Sequence, residues 1–392
     1  MIVFGFIGLM VGCGSSEPRD PGVLLVALDG VRADRLGSAG HLPTDTPNLD
    51  LLASQGTRFA RAYSVSTSGP AALATVLSGL APSAHGHRST KALQGIPSDG
   101  WSSGLVVSGL SHKSDTVSEL MAFEVGIESN SDVTLWLGGV RDLAQSVEAS
   151  AYDDALGHLD AEVGKLVTAW VQANPGGHVV VVGLRGALSG ARFDAELSLT
   201  DDWLHVPMIM VGPNIEPGWV VESPVSTLDL GVWFAERFDQ TLDLPGRNAL
   251  HGGSPRAYHE SPLAWERFEA PLLKGFTEKS GRYVYGTFGS WYGHQGTAVR
   301  SYPDPSSEYP DQHVALQELV AGFGGSDTVL VGDESRDPRT FAEPMSLINK
   351  ARGALEKGRV HAAHRMVARL ESMHPGAPAV QELRAALPPL PE

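Results

Sequence analysis

Asp29 could do chemistry by position alone. It ends an unbroken apolar run, Val23-Leu-Leu-Val-Ala-Leu28, and is followed by Gly30. A run of that length and continuity predicts a strand buried on both faces, as in a parallel sheet covered by helices. The carboxyl end of such a strand is where α/β sheets place their chemistry. No obvious set of partners accompanies it in the sequence. Apart from His85 and His87, the histidines are scattered without HxxxH or similar ligand spacing. Taken alone, Asp29 and its strand say only that the fold is α/β.

The elements that must position these residues follow from the apolar pattern. Thr46 to Gly56 predicts a helix with a Thr cap, Pro at its first position and Gly at its stop. Ala71 to Leu80 predicts a second. Ser103 to Ser108 and Val133 to Leu137 read as strands. Between Tyr152 and Gln172, Leu156, Leu159, Val163, Leu166, Val167 and Trp170 recur at helical spacing. Asn174-Pro-Gly-Gly breaks that helix, His178 to Val182 is another buried strand, and Val206 to Gly212 a shorter one. This alternation implies an α/β fold with a mostly parallel, helix-covered sheet. Tyr258 to Phe288 reads as a smaller β-containing region.

At 392 residues and 42% hydrophobic content the chain can hold one large domain with a small appendage. From about Asp333 it turns charged and Ala-rich. Met345 to Gly358 and Val360 to Met373 predict paired helices, with a third up to Leu387. Their spacing resembles one tetratricopeptide-type repeat; a plain helical hairpin is the competing reading. One such unit cannot bury its faces alone, so it must dock on the main domain or on a partner protein. A net charge of −16 excludes a nucleic-acid-binding surface of the usual kind, because phosphate contacts need clustered Lys and Arg.

The single cysteine, Cys13, closes a short apolar run, Ile2 to Val11, and precedes the polar stretch GSSEPRDPG. The run is too short to span a bilayer but long enough for a signal-peptide core. It resembles the lipobox of bacterial lipoproteins, with Met10 where Leu is usual. The alternative is an ordinary buried cysteine. The lipobox reading gives residues 1–13 as signal peptide, 14–22 as tether, 23–325 as the main domain and 333–388 as the helical tail. It implies a bacterial cell-envelope protein, anchored in a membrane by a lipid on Cys13.

Five ordered fragments resemble the sulfatase family of the alkaline-phosphatase superfamily: Val23 to Ser66 (VLLVALDGVRADRLGSAG…FARAYSVS), Leu73 to Gly86, YDDALGHLDAEVGKLVTAW with HVVVVGLRG, Asp201 to Ile215, and LDLGVWFAERFDQTLDLPGRNALHG. DPSSE at Asp304 to Glu308 resembles a common late motif. The resemblance implies a divalent cation held by oxygen ligands, a nucleophile, and basic groups facing the ester. Asp29 matches the first metal aspartate, but Gly30 stands where a second acidic ligand often follows. Aligning Ala74-Thr-Val-Leu-Ser-Gly79 puts Gly69 at the nucleophile position and Leu73 at a usual Arg. A one-residue shift makes Ser68 the candidate nucleophile, with Thr67 and Ser66 behind it; a structural Ser in a turn is the competing reading for all three. In Gly183-Leu184-Arg185-Gly186, Leu184 replaces a metal aspartate and Arg185 a histidine. That is a change of about two charge units beside the metal. The expected Lys falls near Glu196, and Gly138-Gly-Val-Arg141 lacks the usual His.

The expectation is a sulfatase-like fold without ordinary sulfatase chemistry or cofactor, acting as a binding or interaction module. Its pocket would be lined by Gly30, Arg32, Gly69, His85, Leu184 and Arg185, with Arg185, Arg32 and His85 able to hold an anion. His85 is alternatively structural, and a new metal site of His85, His87 and Asp29 is a further alternative. The rival function is an active sulfuric or phosphoric ester hydrolase or transferase using Ser68 and a Ca or Mg ion at Asp29. A third reading places function in a peptide-binding surface on the C-terminal helices.

Overall fold

A computed structural model describes residues 22–42, 44–89, 107–114, 121–127, 133–140, 149–187, 197–285, 289–293, 298–302, 309–323 and 338–390. The lipobox and most of the tether, most of Ser103 to Ser108, Arg141, Glu196 and the DPSSE motif lie outside these residues.

The apolar run after the tether forms β1 (Val23–Asp29), every residue of it buried. Its side chains divide between two cores, as the two-residue period of a strand requires. Val23, Leu25 and Ala27 enter one apolar layer; Leu24, Val26 and Leu28 enter the other. β2 (Thr57–Phe59) and β3 (Ala62–Tyr63) follow, then β4 (Val107–Ser114), β5 (Met121–Ile127), β6 (Val133–Gly139), β7 (His178–Arg185), β8 (Met208–Val211), β9 (Val220–Val221) and β10 (Val225–Ser226). The large sheet runs β4-β5-β6-β1-β7-β8-β2-β9. β6, β1 and β7 are mutually parallel, which gives the α/β centre expected from the sequence; β5 and β8 turn antiparallel at its flanks.

Helices cover both faces. α1 (Pro47–Gln55) and α2 (Gly69–Ser78) precede the short α3 (Pro82–His85), and α4 (Ala149–Ala173) is the long amphipathic helix. α5 (Asp201–Leu204) leads to α6 (Asp229–Arg237). Leu49 and Leu52 of α1 pack with Leu156, Leu159 and Val163 of α4 under one face, while α2 and α6 supply Ala72, Leu73, Val76, Leu230 and Phe234 to the other. Each fully buried aliphatic side chain contributes roughly 1.5–3 kcal/mol of transfer free energy.

Thr46 sits at the predicted cap of α1, but its side chain does not cap the helix. The job passes to Asp160 of α4, 1% exposed, whose carboxylate accepts from the backbone of Asn48 at 3.1 Å and Leu49 at 2.8 Å. Gly56 also has a different reason from the one expected. Its φ of −140° is ordinary extended backbone, yet a Cβ there would lie 2.0 Å from the Met210 carbonyl oxygen.

The second sheet is antiparallel, β11 (Ala257–Ser261), β12 (Leu273–Glu278), β13 (Gly281–Tyr285), β14 (Gly289–Gly293) and β15 (Ala298–Tyr302) in sequence order. α7 (Leu263–Phe268) connects its first two strands and α8 (Pro310–Gly322) packs on it. The predicted C-terminal helices are α9 (Ala342–Glu356), α10 (Val360–Met373) and α11 (Pro378–Ala386). They dock in cis: Met345, Ile348, Val367, Leu370 and Leu383 share an apolar cluster with Leu263, Ala264 and Phe268 of α7.

Candidate functional site at the carboxyl edge of the large sheet

Asp29 closes β1, and an irregularity between Leu28 and Asp29 sets it opposite Arg185 at the end of β7. The two side chains meet: Arg185 Nε donates to Asp29 Oδ1 at 2.9 Å. The Asp29 side chain is 10% exposed and that of Arg185 28%. The ring of Trp203 lies under the same guanidinium, 5.4 Å from Cζ to centroid. Such a stack adds to the cation's hold.

Gly30 is a glycine for backbone reasons. Its φ of +76° is left-handed, and a Cβ would sit 2.5 Å from the Val140 carbonyl oxygen. The turn is pinned by Tyr152, which donates to the Gly30 carbonyl at 2.9 Å and accepts from Arg32 N at 3.0 Å. Burial pushes that phenol's pKa up. A second acidic ligand at position 30 would need a different turn.

Gly69 opens α2 directly against Asp29. A Cβ built on Gly69 would fall 2.5 Å from Asp29 Oδ1 and 2.9 Å from its Cγ. The carboxylate therefore packs where the side chain of a nucleophile would begin. Ser68, the alternative nucleophile, is the N-cap of α2 and 3% exposed. Its hydroxyl donates to the Ser89 carbonyl at 2.8 Å and accepts from Ala71 N at 3.4 Å. Ser66 Oγ accepts from Ser68 N at 3.1 Å, and Thr67 Oγ1 donates to Ser261 Oγ at 3.0 Å. Among the described residues, no imidazole, amine or carboxylate bonds the Ser68 hydroxyl.

Several expectations about the pocket are corrected. Arg32 does not face an anion: it holds Asp34 through Nε at 2.9 Å and Nη2 at 2.7 Å, and its other Nη pairs with Asp202. Leu184 is not a pocket residue but part of the apolar layer under α2 and α6, 3% exposed. His85 lies against α2, with Nε2 3.0 Å from Thr75 Oγ1 and Nδ1 accepting from His87 N at 3.1 Å. Burial, then the nearby His87 and Arg88, lower its pKa to about 4. A neutral ring with both nitrogens engaged cannot serve as a cationic anion ligand at neutral pH, which leaves the structural role.

One contact here was not legible in the sequence. Arg88 pairs with Glu260 of β11, Nε to Oε1 at 2.8 Å and Nη2 to Oε2 at 3.1 Å, and the Tyr258 hydroxyl donates to Oε2 at 3.0 Å. Glu260 is wholly buried. Ser89 Oγ donates to Glu266 of α7 at 2.6 Å. Residues 85–89 are thus strapped across the start of α2 and fastened to the second sheet. Nothing in the local pattern of either segment pairs position 88 with position 260.

The donor set does not fit the divalent cation that the family resemblance implies. Hard cations take several oxygen ligands. Here Asp29 is bonded to a guanidinium, and the nearby Asp34 and Asp202 are taken by Arg32. Among the described residues no group of three or more His, Cys, Asp or Glu is arranged to hold a metal, so His85, His87 and Asp29 do not assemble into one.

Residues 21–122 match the family model described as sulfatase. Over 66 residues the chain is 38% identical to an arylsulfatase of Clostridium perfringens. That match takes in 17% of this chain and 14% of the relative, so the chain spans well under two thirds of the curated protein it matches. In fold it is similar to the phosphonate monoester hydrolase of Agrobacterium radiobacter, with a TM-score of 0.56 and 15% identity over 78% of this chain and 96% of that one. A protein solved in complex with its substrate D-glucosamine-2-N,6-O-disulfate is similar at a TM-score of 0.57 and 10% identity, covering 78% of this chain and 98% of the other. These likenesses show a shared α/β fold. Over residues 21–122 the chain is similar to the sulfatase family.

Proposed function

We propose that this chain is a non-hydrolysing member of its family, held in the bacterial cell envelope by a lipid on Cys13 and working as a binding or interaction module. The observation that carries the reading is the contact between Gly69 and Asp29. At Gly69 the chain has no nucleophilic side chain, and a Cβ there would meet the Asp29 carboxylate; the Ser68 hydroxyl beside it caps α2 and donates to the Ser89 carbonyl. The Arg185 guanidinium, which could meet charge developing on an ester oxygen, is already bonded to Asp29. The ion pairs on Arg32 and Arg185 turn the reading away from a sulfate or phosphate pocket and towards contacts made by the outer surface, the C-terminal helices included. For the anchor, support comes from the apolar run ending in Val11-Gly12-Cys13. No helix among the described residues is long and apolar enough to cross a membrane.

Two measurements test this. Protein comprising residues 20–392 should bind no stoichiometric Ca²⁺, Mg²⁺ or Zn²⁺ and should not turn over aryl sulfates, phosphate monoesters or phosphonate monoesters. Metal-dependent turnover abolished by Asp29→Ala or Ser68→Ala would overturn the reading and favour an active hydrolase. In cells, globomycin treatment or Cys13→Ala should leave an unprocessed precursor; normal processing of Cys13→Ala would remove the lipid anchor.

A further inference from the structure

We infer that the Arg185 guanidinium is a built-in replacement for the cation of the family fold, tying the carboxyl ends of β1 and β7 together with protein groups alone. The inference deepens the non-hydrolysing reading and rests on it only for its meaning, not for its geometry. A carboxylate as buried as Asp29 needs a counter-charge close by, because the low-dielectric interior penalises an unpaired ion. In a metal site that charge is a divalent cation shared among several acidic ligands. Here the register brings Arg185 opposite Asp29 and its Nε to 2.9 Å from Oδ1, so a guanidinium supplies the counter-charge.

The surroundings are built for a planar cation rather than a small spherical one. Trp203 supplies a ring face 5.4 Å from Cζ, which a guanidinium uses and a hydrated divalent ion does not. The backbone of the same residue is fixed as well: Val31 N donates to the Arg185 carbonyl at 3.0 Å, and Gly186 N to the Trp203 carbonyl at 2.8 Å. On the far side of the carboxylate, Gly69 allows Asp29 to close onto the start of α2. The ends of β1, β7 and α2 and the segment carrying Trp203 therefore converge on one ion pair.

Thermal unfolding of residues 20–392 with a double-mutant cycle tests the tie. Wild-type Tm should be the same in EDTA and in millimolar CaCl₂ or MgCl₂. Arg185→Gln and Asp29→Asn should each lower Tm by roughly 5–10 °C, with the double variant falling by clearly less than the two shifts added. Should Arg185→Gln not fold, Arg185→Lys keeps the charge but loses the planar fork, and is expected to lower Tm by a smaller amount. A wild-type Tm raised by calcium or magnesium and lowered by EDTA would overturn the inference, as would additive shifts. An ester assay in EDTA separates the two claims: metal-free turnover would sink the non-hydrolysing reading and leave the tie standing.

Discussion

Two carboxylate–guanidinium pairs flank the start of α2, and they differ in what surrounds them. Glu260 is wholly buried, and both its oxygens are bonded, by the two ends of the Arg88 fork and by the Tyr258 hydroxyl. Asp29 meets Arg185 at the edge where an α/β sheet would place its reacting groups, and more than a quarter of the Arg185 side chain reaches solvent. The first pair fastens the segment after α3 to the second sheet and acts as structure. The second stands at the carboxyl edge of the large sheet and neutralises Asp29 there. The same ion-pair chemistry therefore fastens two parts of the fold in one place and closes a site in the other.

The comparison is broken most easily at Glu260. Glu260→Ala removes the carboxylate from a guanidinium whose side chain is only 14% exposed. It should cost about 3–5 kcal/mol in chemical denaturation, as expected for breaking a buried pair. Replacing both partners, Glu260→Leu with Arg88→Met, should cost clearly less, because no uncompensated charge remains. A loss below about 1 kcal/mol from the single change would falsify the structural role given to this pair.

Gly69→Ser comes next in size. The added Cβ would lie 2.5 Å from Asp29 Oδ1, so the carboxylate must move off α2 and loosen its contact with Arg185. Overpacking of this kind costs roughly 1–3 kcal/mol. The variant returns a hydroxyl to the nucleophile position, yet it should gain no ester turnover, because Arg185 still occupies the charge-neutralising role. Stability unchanged by Gly69→Ser would mean that Asp29 yields freely and that the edge is not closed.

Most of the frame could be read from the sequence. The runs at Val23 and His178 and the helical spacing from Tyr152 each fix one element, because burial on both faces or on one stripe leaves a local pattern. Gly30, Gly69 and Arg185 were legible as positions of interest too, through the resemblance to the sulfatase pattern. Their consequences were not. That Arg185 turns onto Asp29, that Arg32 is taken by Asp34 and Asp202, and that Leu184 points into the core depend on contacts between distant segments. The Arg88–Glu260 pair is the extreme case, with partners 172 positions apart and no motif at either end.

A smaller effect separates the two regions by pH. Burial holds the pKa of His85 at about 4 and that of His259 well below its usual 6.5, the latter helped by Arg282. His259 is fixed in its neutral form, with Nδ1 donating to the Ser64 carbonyl at 2.8 Å and Nε2 accepting from Thr277 at 2.7 Å. For a base whose folded pKa is depressed, the unfolded chain binds the extra proton first. This stability is complete above pH 6.5 and is lost as pH falls towards 4. Tm should therefore drop between pH 7 and pH 4.5, and His85→Gln should flatten part of that drop while changing little at pH 7. Identical pH profiles for the two proteins would show that His85 titrates as an ordinary surface residue.

The smallest effect expected is at Arg384 in α11, and it marks the other limit of the comparison. Arg384 pairs with Glu371 of α10, but their side chains are 66% and 42% exposed. Water screens the attraction in both the folded and the unfolded chain, and holding two long side chains in one geometry offsets much of what remains. The tail is held instead by its apolar layer, in which Val367, Leu370, Val380 and Leu383 are buried against one another and against α7. Arg384→Gln should shift the unfolding free energy by no more than about 0.5 kcal/mol, and the shift should vanish in high salt. Urea titrations at low and high ionic strength measure both. A loss approaching that of Glu260→Ala would mean that exposure does not set the worth of an ion pair in this molecule, and the contrast drawn between its buried pairs would lose its physical basis.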